Sequence, residues 1–146
     1  MRSWRSRSPA ETREVGSGLL AELLPDRALL LTGDLAAGKT VLAQGVAAAL
    51  GIDPAEVQSP TFTLVREHQG PGGRLLHLDL YRLEPAEAAG LGLEELLAAP
   101  AIKVVEWAER LPLQVPGALR LHLRRQGGGE ERAIVEVVGS AAEGTA

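Results

Sequence analysis

Ala28-Leu29-Leu30-Leu31-Thr32-Gly33-Asp34-Leu35-Ala36-Ala37-Gly38-Lys39-Thr40 is the stretch from which the fold of this chain can be read. It opens as a short continuous apolar run between Pro25-Asp26 and Gly33, the pattern of a strand, over 27–32, covered on both faces. Such strands belong to α/β folds. It continues as Gly33-x-x-x-x-Gly38-Lys39-Thr40, the spacing of a phosphate-binding loop. An alanine-rich segment, 41–50, follows, with Gly51 placed to stop a helix. The order is strand, glycine loop, helix. In that order the backbone N–H groups of Gly33, Asp34, Leu35, Ala36, Ala37, Gly38, Lys39, Thr40 and Val41 can surround a phosphate at the helix N-terminus. Lys39 then neutralises the outer phosphates, and Thr40 offers its hydroxyl to a magnesium ion. The alternative is an ordinary glycine turn. Against it stand the position between strand and helix and the use of one of only two lysines in the chain.

Upstream of that stretch, Val15, Leu19, Leu20, Leu23 and Leu24 recur at helical spacing and predict a helix over 9–24. Ser8 suits the N-cap, Pro9 the first helical position, and Glu11 completes a capping box. Downstream, 61–68 alternates as a strand, and Gly70-Pro71-Gly72-Gly73 turns it into a second strand over 74–81, an antiparallel hairpin. Short helical segments are expected within 84–99, around Gly90 and Gly92, and a buried strand over 101–106. Two more strands, 118–125 and 132–138, flank Gly127-Gly128-Gly129. No repeat or linker divides the chain, so a single domain over 1–146 is expected, with 139–146 a frayed tail.

Composition sets the outer limits. The 146 residues are 45% hydrophobic and 23% charged, the balance of an ordinary globular chain. Cysteine is absent, which excludes disulfides, thiolate metal sites and cysteine nucleophiles. No apolar run is long enough to span a bilayer, and the basic start Met1-Arg2-Ser3-Trp4-Arg5-Ser6-Arg7 lacks the apolar stretch of a signal peptide. The expectation is a cytoplasmic protein without a membrane partner. A net charge of −4 gives no overall basic excess for nucleic acid, so DNA is not an expected partner and any RNA contact must be local or partner-assisted.

Magnesium beside a phosphate loop needs hard oxygen ligands beyond the threonine. Asp79 ends Leu75-Leu76-His77-Leu78-Asp79 and Glu106 ends Ile102-Lys103-Val104-Val105-Glu106, so both stand where α/β strands meet a ligand. The competing reading makes each a salt-bridged strand-end acid. Ser59, Thr61 and Thr63, around Pro60 and Phe62, could report a γ-phosphate through a hydroxyl, or could simply open a strand. Trp107 could stack on a base or cover the site, or serve as core or partner-facing surface. His77 alternates with Leu75 and Asp79 and reads as a packed sheet-face histidine rather than a general base. His68 and His122 form no cluster with it, and no zinc site is expected.

Guanine-reading P-loop proteins use an Asn-Lys-x-Asp element, which a chain without asparagine cannot supply. A small-molecule kinase needs an acceptor pocket and an arginine-bearing lid as well as the loop. Residues and spacing thus lead to a small ATP-binding P-loop protein, with a kinase and a nonhydrolysing ATP-sensing adaptor as alternatives.

The blocks Glu11-Thr12…Val15-Gly16, Leu31 to Thr40, Ser59-Pro60-Thr61-Phe62-Thr63-Leu64-Val65, His77-Leu78-Asp79-Leu80-Tyr81-Arg82 and Val105-Glu106-Trp107-Ala108-Glu109 occur in the order found in the TsaE family. Together they resemble that family over about 8–110. The resemblance implies an α/β, P-loop NTPase-like three-layer fold with a mixed central sheet and antiparallel hairpins. It implies an ATPase needed for threonylcarbamoyladenosine modification of tRNA, using ATP and Mg2+. TsaD and TsaB are the implied partners, with tRNA met only through their complex. By position, Lys39, Asp79 and Glu106 are the implied catalytic residues, and Thr40, Asp79 and Glu106 the implied magnesium ligands. Residues 59–63 resemble the family's first switch, and Trp107 falls on its tryptophan. Two departures stand out: Ala36 where the family usually has glycine, and Val41 where a second threonine is common. A positive φ at Ala36 would cost about 1 kcal/mol.

Overall fold

The computed structural model describes residues 2–34, 37–58, 64–88 and 92–137. In chain order its elements are β1 (Ser3–Ser6), α1 (Pro9–Gly18), α2 (Leu20–Leu23), β2 (Ala28–Gly33), α3 (Lys39–Ala49), β3 (Val65–Gly70) and β4 (Gly73–Asp79). They continue with α4 (Pro85–Ala88), α5 (Leu93–Leu97), β5 (Ile102–Glu106), β6 (Leu119–Arg125) and β7 (Arg132–Glu136), and 3-10 turns lie at Pro54–Glu56 and Ala108–Arg110. The strands form one sheet in the order β1-β7-β6-β2-β5-β4-β3. Its centre, β6-β2-β5-β4, is parallel, and β3, β7 and β1 add antiparallel flanks. The mixed sheet and its two hairpins agree with the fold expected from the sequence.

β2 is covered on both faces, as its unbroken apolar run requires. Leu29 and Leu31 meet Leu42, Ala43 and Val46 of α3, whereas Ala28 and Leu30 join Leu78, Leu97, Val105 and Val115 on the other side. Each such leucine contributes roughly 1.5–3 kcal/mol by leaving water. The connection from β2 runs through α3 on one face, while the connection from β5 lays Leu111, Leu113 and Val115 on the other. Neighbouring connections thus diverge at the C-terminal ends of β2 and β5, the place where open α/β sheets bind ligands.

Several boundaries differ from expectation. The helix expected over 9–24 is two helices: Leu19 N–H bonds Gly16 O at 3.1 Å, a tightened turn after the weak helix formers Gly16, Ser17 and Gly18. Its start agrees, with Ser8 Oγ accepting from Glu11 N–H (3.2 Å). The Glu11 carboxylate, however, caps Arg7 N–H (2.8 Å) rather than that of Ser8. β4 ends at Asp79 instead of Tyr81 because Asp79 Oδ1 accepts the Tyr81 N–H (2.9 Å) and turns the chain. β3 begins at Val65, and the earlier part of its expected range, 61–63, lies outside the described residues, as does the tail 139–146. β1 is an element that sequence reasoning did not identify.

Candidate phosphate and metal site

Gly33 closes β2 at φ +137°, where a Cβ would lie 2.3 Å from the Leu123 carbonyl oxygen of β6. Only glycine fits that turn. Gly38, at φ +101°, is the N-cap of α3 and brings no side-chain acceptor to the helix's first amides. An eleven-residue helix therefore presents its positive end at the C-terminal edge of the sheet.

Lys39, 4% exposed, folds back onto the loop. Its ammonium donates to Gly33 O (2.6 Å) and Asp34 O (2.8 Å) and stands 4.0 Å from the Trp107 ring centroid. Burial pulls its pKa below the usual lysine value, against the opposing pull of Glu106, Glu109, Asp79 and Asp34. Thr40 Oγ1 sits 2.8 Å from both oxygens of Glu106, sharing one proton between them. The other side of that carboxylate meets His77 Nε2 at 2.6 Å. Since the buried His77 Nδ1 has no partner among the described residues, the tautomer that suits the site carries its proton on Nε2 and donates it to Glu106. Alternation along β4 and β5 places His77, Asp79 and Glu106 on the face of α3, and Asp79 pairs in register with Glu106.

Trp107 follows β5 with φ 58°, a left-handed conformation that is costly for a bulky residue. It turns the indole over Lys39 and against the Tyr81 ring, 4.8 Å between centroids. Of the roles open to it on sequence, the geometry shows two contacts: the ring lies over Lys39 and also packs against the second apolar cluster.

The structure thus gathers Gly33, Asp34, Gly38, Lys39, Thr40, Asp79, Glu106 and Trp107 at the C-terminal ends of β2, β4 and β5. Ala37 instead packs into the core beneath the loop, and Val41 stands half-buried in the first turn of α3. Leu35 and Ala36, and the switch-like segment 59–63, lie outside the described residues. Sequence reasoning found a packed His77 but missed its contact with Glu106; His77-Leu78-Asp79 alternation was the available signal. It also missed Glu109, whose Oε2 accepts the Gly33 N–H (3.3 Å). Among the described residues, no three His, Asp or Glu side chains cluster as metal ligands. The donor set is one hydroxyl and two carboxylates, all hard oxygens, which suits Mg2+ completed by phosphate and water.

The family model described as threonylcarbamoyl adenosine biosynthesis protein TsaE matches residues 6–134. The tRNA threonylcarbamoyladenosine biosynthesis protein TsaE of Bacillus subtilis (strain 168) is 37% identical over 138 residues, 94% of this chain and 86% of that protein. Its namesake in Nostoc sp. (strain PCC 7120) is 45% identical over 105 residues, 69% of this chain and 64% of that protein. Among solved structures, the crystal structure of Bacillus subtilis YdiB superposes with a TM-score of 0.75 at 33% identity, covering 97% of this chain and 88% of that one. The chain belongs to the TsaE family and has that family's role in tRNA threonylcarbamoyladenosine biosynthesis.

Proposed function

We propose that this chain is a P-loop ATPase that binds and hydrolyses MgATP to drive or reset a TsaD–TsaB complex during threonylcarbamoyladenosine modification of tRNA. The observation that carries the reading is Thr40 at the head of the uncapped helix α3, hydrogen-bonded to a Glu106 carboxylate that His77 holds from behind. In hydrolysis a water oxygen bonds to the γ-phosphorus while the bond to the β,γ-bridging oxygen breaks, leaving ADP and phosphate. Little covalent chemistry falls to the protein, so positioning and charge do the work. The α3 amides and the Lys39 ammonium would hold the phosphates, with Lys39 exchanging two loop carbonyls for phosphate oxygens. Thr40, Glu106 and Asp79 would hold magnesium, which would supply charge neutralisation to the phosphates. Glu106 is kept in place by the His77 N–H, and Trp107 shields the lysine from water.

The test is phosphate release from MgATP by the purified chain, alone and with TsaD–TsaB, using Lys39→Ala as the control. Slow turnover alone, stimulation by TsaD–TsaB and a dead control are expected. Turnover stimulated instead by a metabolite would make the chain a kinase. Binding of ATP without phosphate release under any condition would make it an adaptor.

A further inference from the structure

Hydrolysis needs a group that orients the water attacking the γ-phosphorus, and the two acids at the strand ends are otherwise engaged. Glu106 turns both oxygens to Thr40 and one of them also to His77, while Asp79 Oδ1 holds the Tyr81 N–H. Glu109 is a further acid that β5 brings to the loop. Register pairs Leu31 with Glu106, so the chain beyond β5 runs on beside Gly33 at the end of β2. Trp107, at φ 58°, leads it there into the 3-10 turn Ala108–Arg110. Arg110 N–H closes that turn on Trp107 O and Leu111 N–H on Ala108 O, both at 3.0 Å. The closed turn sets Glu109 against the loop, where Oε2 accepts the Gly33 N–H at 3.3 Å. Among the described residues Oε1 takes no hydrogen bond, and the residue is exposed to water. Burial lowers the Lys39 pKa, and of the carboxylates opposing it Glu109 stands second to Glu106, ahead of Asp79 and Asp34. Glu109 therefore lies near the ammonium that would meet the outer phosphates.

We infer that Glu109 is the catalytic carboxylate that orients the attacking water, with Oε2 fixed on the Gly33 N–H and Oε1 accepting the water's proton. The inference rests on the proposed hydrolysis of MgATP and names the group that directs its nucleophile. In that step the water O–H donates to Oε1 as the water oxygen bonds to the γ-phosphorus. The bond to the β,γ-bridging oxygen breaks, and its electron pair leaves with ADP. The proton taken up by Oε1 passes to the released phosphate, which restores the carboxylate. A loose transition state at phosphorus asks this residue for orientation more than for basicity. A carboxylate pinned by one oxygen on a closed turn leaves its other oxygen few directions to point, which is what orientation requires. The competing role is structural, with Glu109 only clamping the first glycine of the loop. Glutamine separates the two, since its carbonyl oxygen can still accept the Gly33 N–H while its amide NH2 donates and takes up no proton.

The experiment compares the full chain with Glu109→Gln in two measurements. One is phosphate release from MgATP with TsaD–TsaB present; the other is calorimetric affinity for MgATP, for MgADP, and for MgADP with aluminium fluoride, a mimic of the phosphoryl group under attack by water. Glu109→Gln should lower the turnover number at least about tenfold. Its melting temperature and its affinities for MgATP and MgADP should stay at wild-type values. Affinity for MgADP with aluminium fluoride should fall by about the same factor as turnover, because that complex mimics the transition state. Wild-type turnover in Glu109→Gln overturns the inference. So does a loss of MgATP affinity that accounts for the lost turnover, which would make Glu109 a clamp on the loop. Should Glu109→Gln fail to fold, Glu109→Asp decides: its carboxylate keeps the charge but stands one methylene further back, so turnover should fall with MgADP affinity kept, and full turnover overturns the inference. If the wild-type chain binds MgATP but releases no phosphate even with TsaD–TsaB, the ATPase reading itself fails and this inference with it.

Discussion

Lys39 must change partners before it can serve a nucleotide. Its ammonium is satisfied by Gly33 O and Asp34 O and lies against the Trp107 ring, so a phosphate has to outbid two carbonyls and an indole face. Lys39→Ala should abolish MgATP binding in calorimetry and leave the circular dichroism spectrum unchanged; wild-type affinity in that variant would refute the assignment. The indole gives the same exchange an optical signal. In a Trp4→Phe background, saturating MgATP should change Trp107 emission, and a silent titration of a chain that binds by calorimetry would mean that the lysine stays where it is. For Asp79→Ala and Glu106→Ala, retained folding with at least about a tenfold loss of magnesium-dependent phosphate release is expected. Full turnover in either variant would remove that residue from the site. The loop, the lysine and both acids were legible in the sequence because each is marked locally, by spacing or by a strand end. The His77–Glu106 contact was not, since it joins residues 29 apart in the chain and depends on the parallel register of β4 and β5.

At the scale of elements, α3 is positioned by how closely α1 can approach it. A Cβ on Gly16 would lie 2.2 Å from Leu42 O, and one on Gly45 would lie 2.0 Å from Arg13 O, both rigid backbone atoms. Ser17 Oγ fastens the same crossing by donating to Gly45 O (2.8 Å). Gly16→Ala should therefore destabilise by about 1–3 kcal/mol despite alanine's better helix propensity. Gly18, with nothing among the described residues within 4 Å of its Cβ position, should tolerate alanine without loss. Urea unfolding compares the two, and equal effects would show that the helices can move apart freely. Periodicity revealed β2, α3, β5 and the β6–β7 hairpin because their apolar patterns are strong within a few residues. It could not reveal β1, whose Ser-Trp-Arg-Ser has little strand pattern of its own and which pairs with β7 from the other end of the chain. Nor could it show the break at Leu19, where apolar spacing continues across a turn weakened by two glycines.

For the whole molecule, both lysines of a lysine-poor chain are buried, at opposite ends of the parallel strands. Lys39 lies at the C-terminal end, beyond β2. Lys103 lies at the far end, its ammonium joining Asp26 O (2.6 Å) before β2 to Ala99 O (2.8 Å) after α5. Burial depresses its pKa, partly offset by Asp26, so the folded chain releases this proton at lower pH than the unfolded one. Below the folded value, both states carry the charge and the full desolvation cost opposes folding. As pH rises through that value, the cost is relieved in the folded state first, and the gain is complete near the unfolded value of about 10.4. Lys103→Met removes this dependence and leaves that of Lys39, which cancels when the two chains are compared. Urea unfolding of both chains between pH 7 and 10 should therefore show wild type gaining on Lys103→Met as pH rises. Parallel profiles would mean that Lys103 keeps its charge at no cost, with its carbonyl partners replacing water in full.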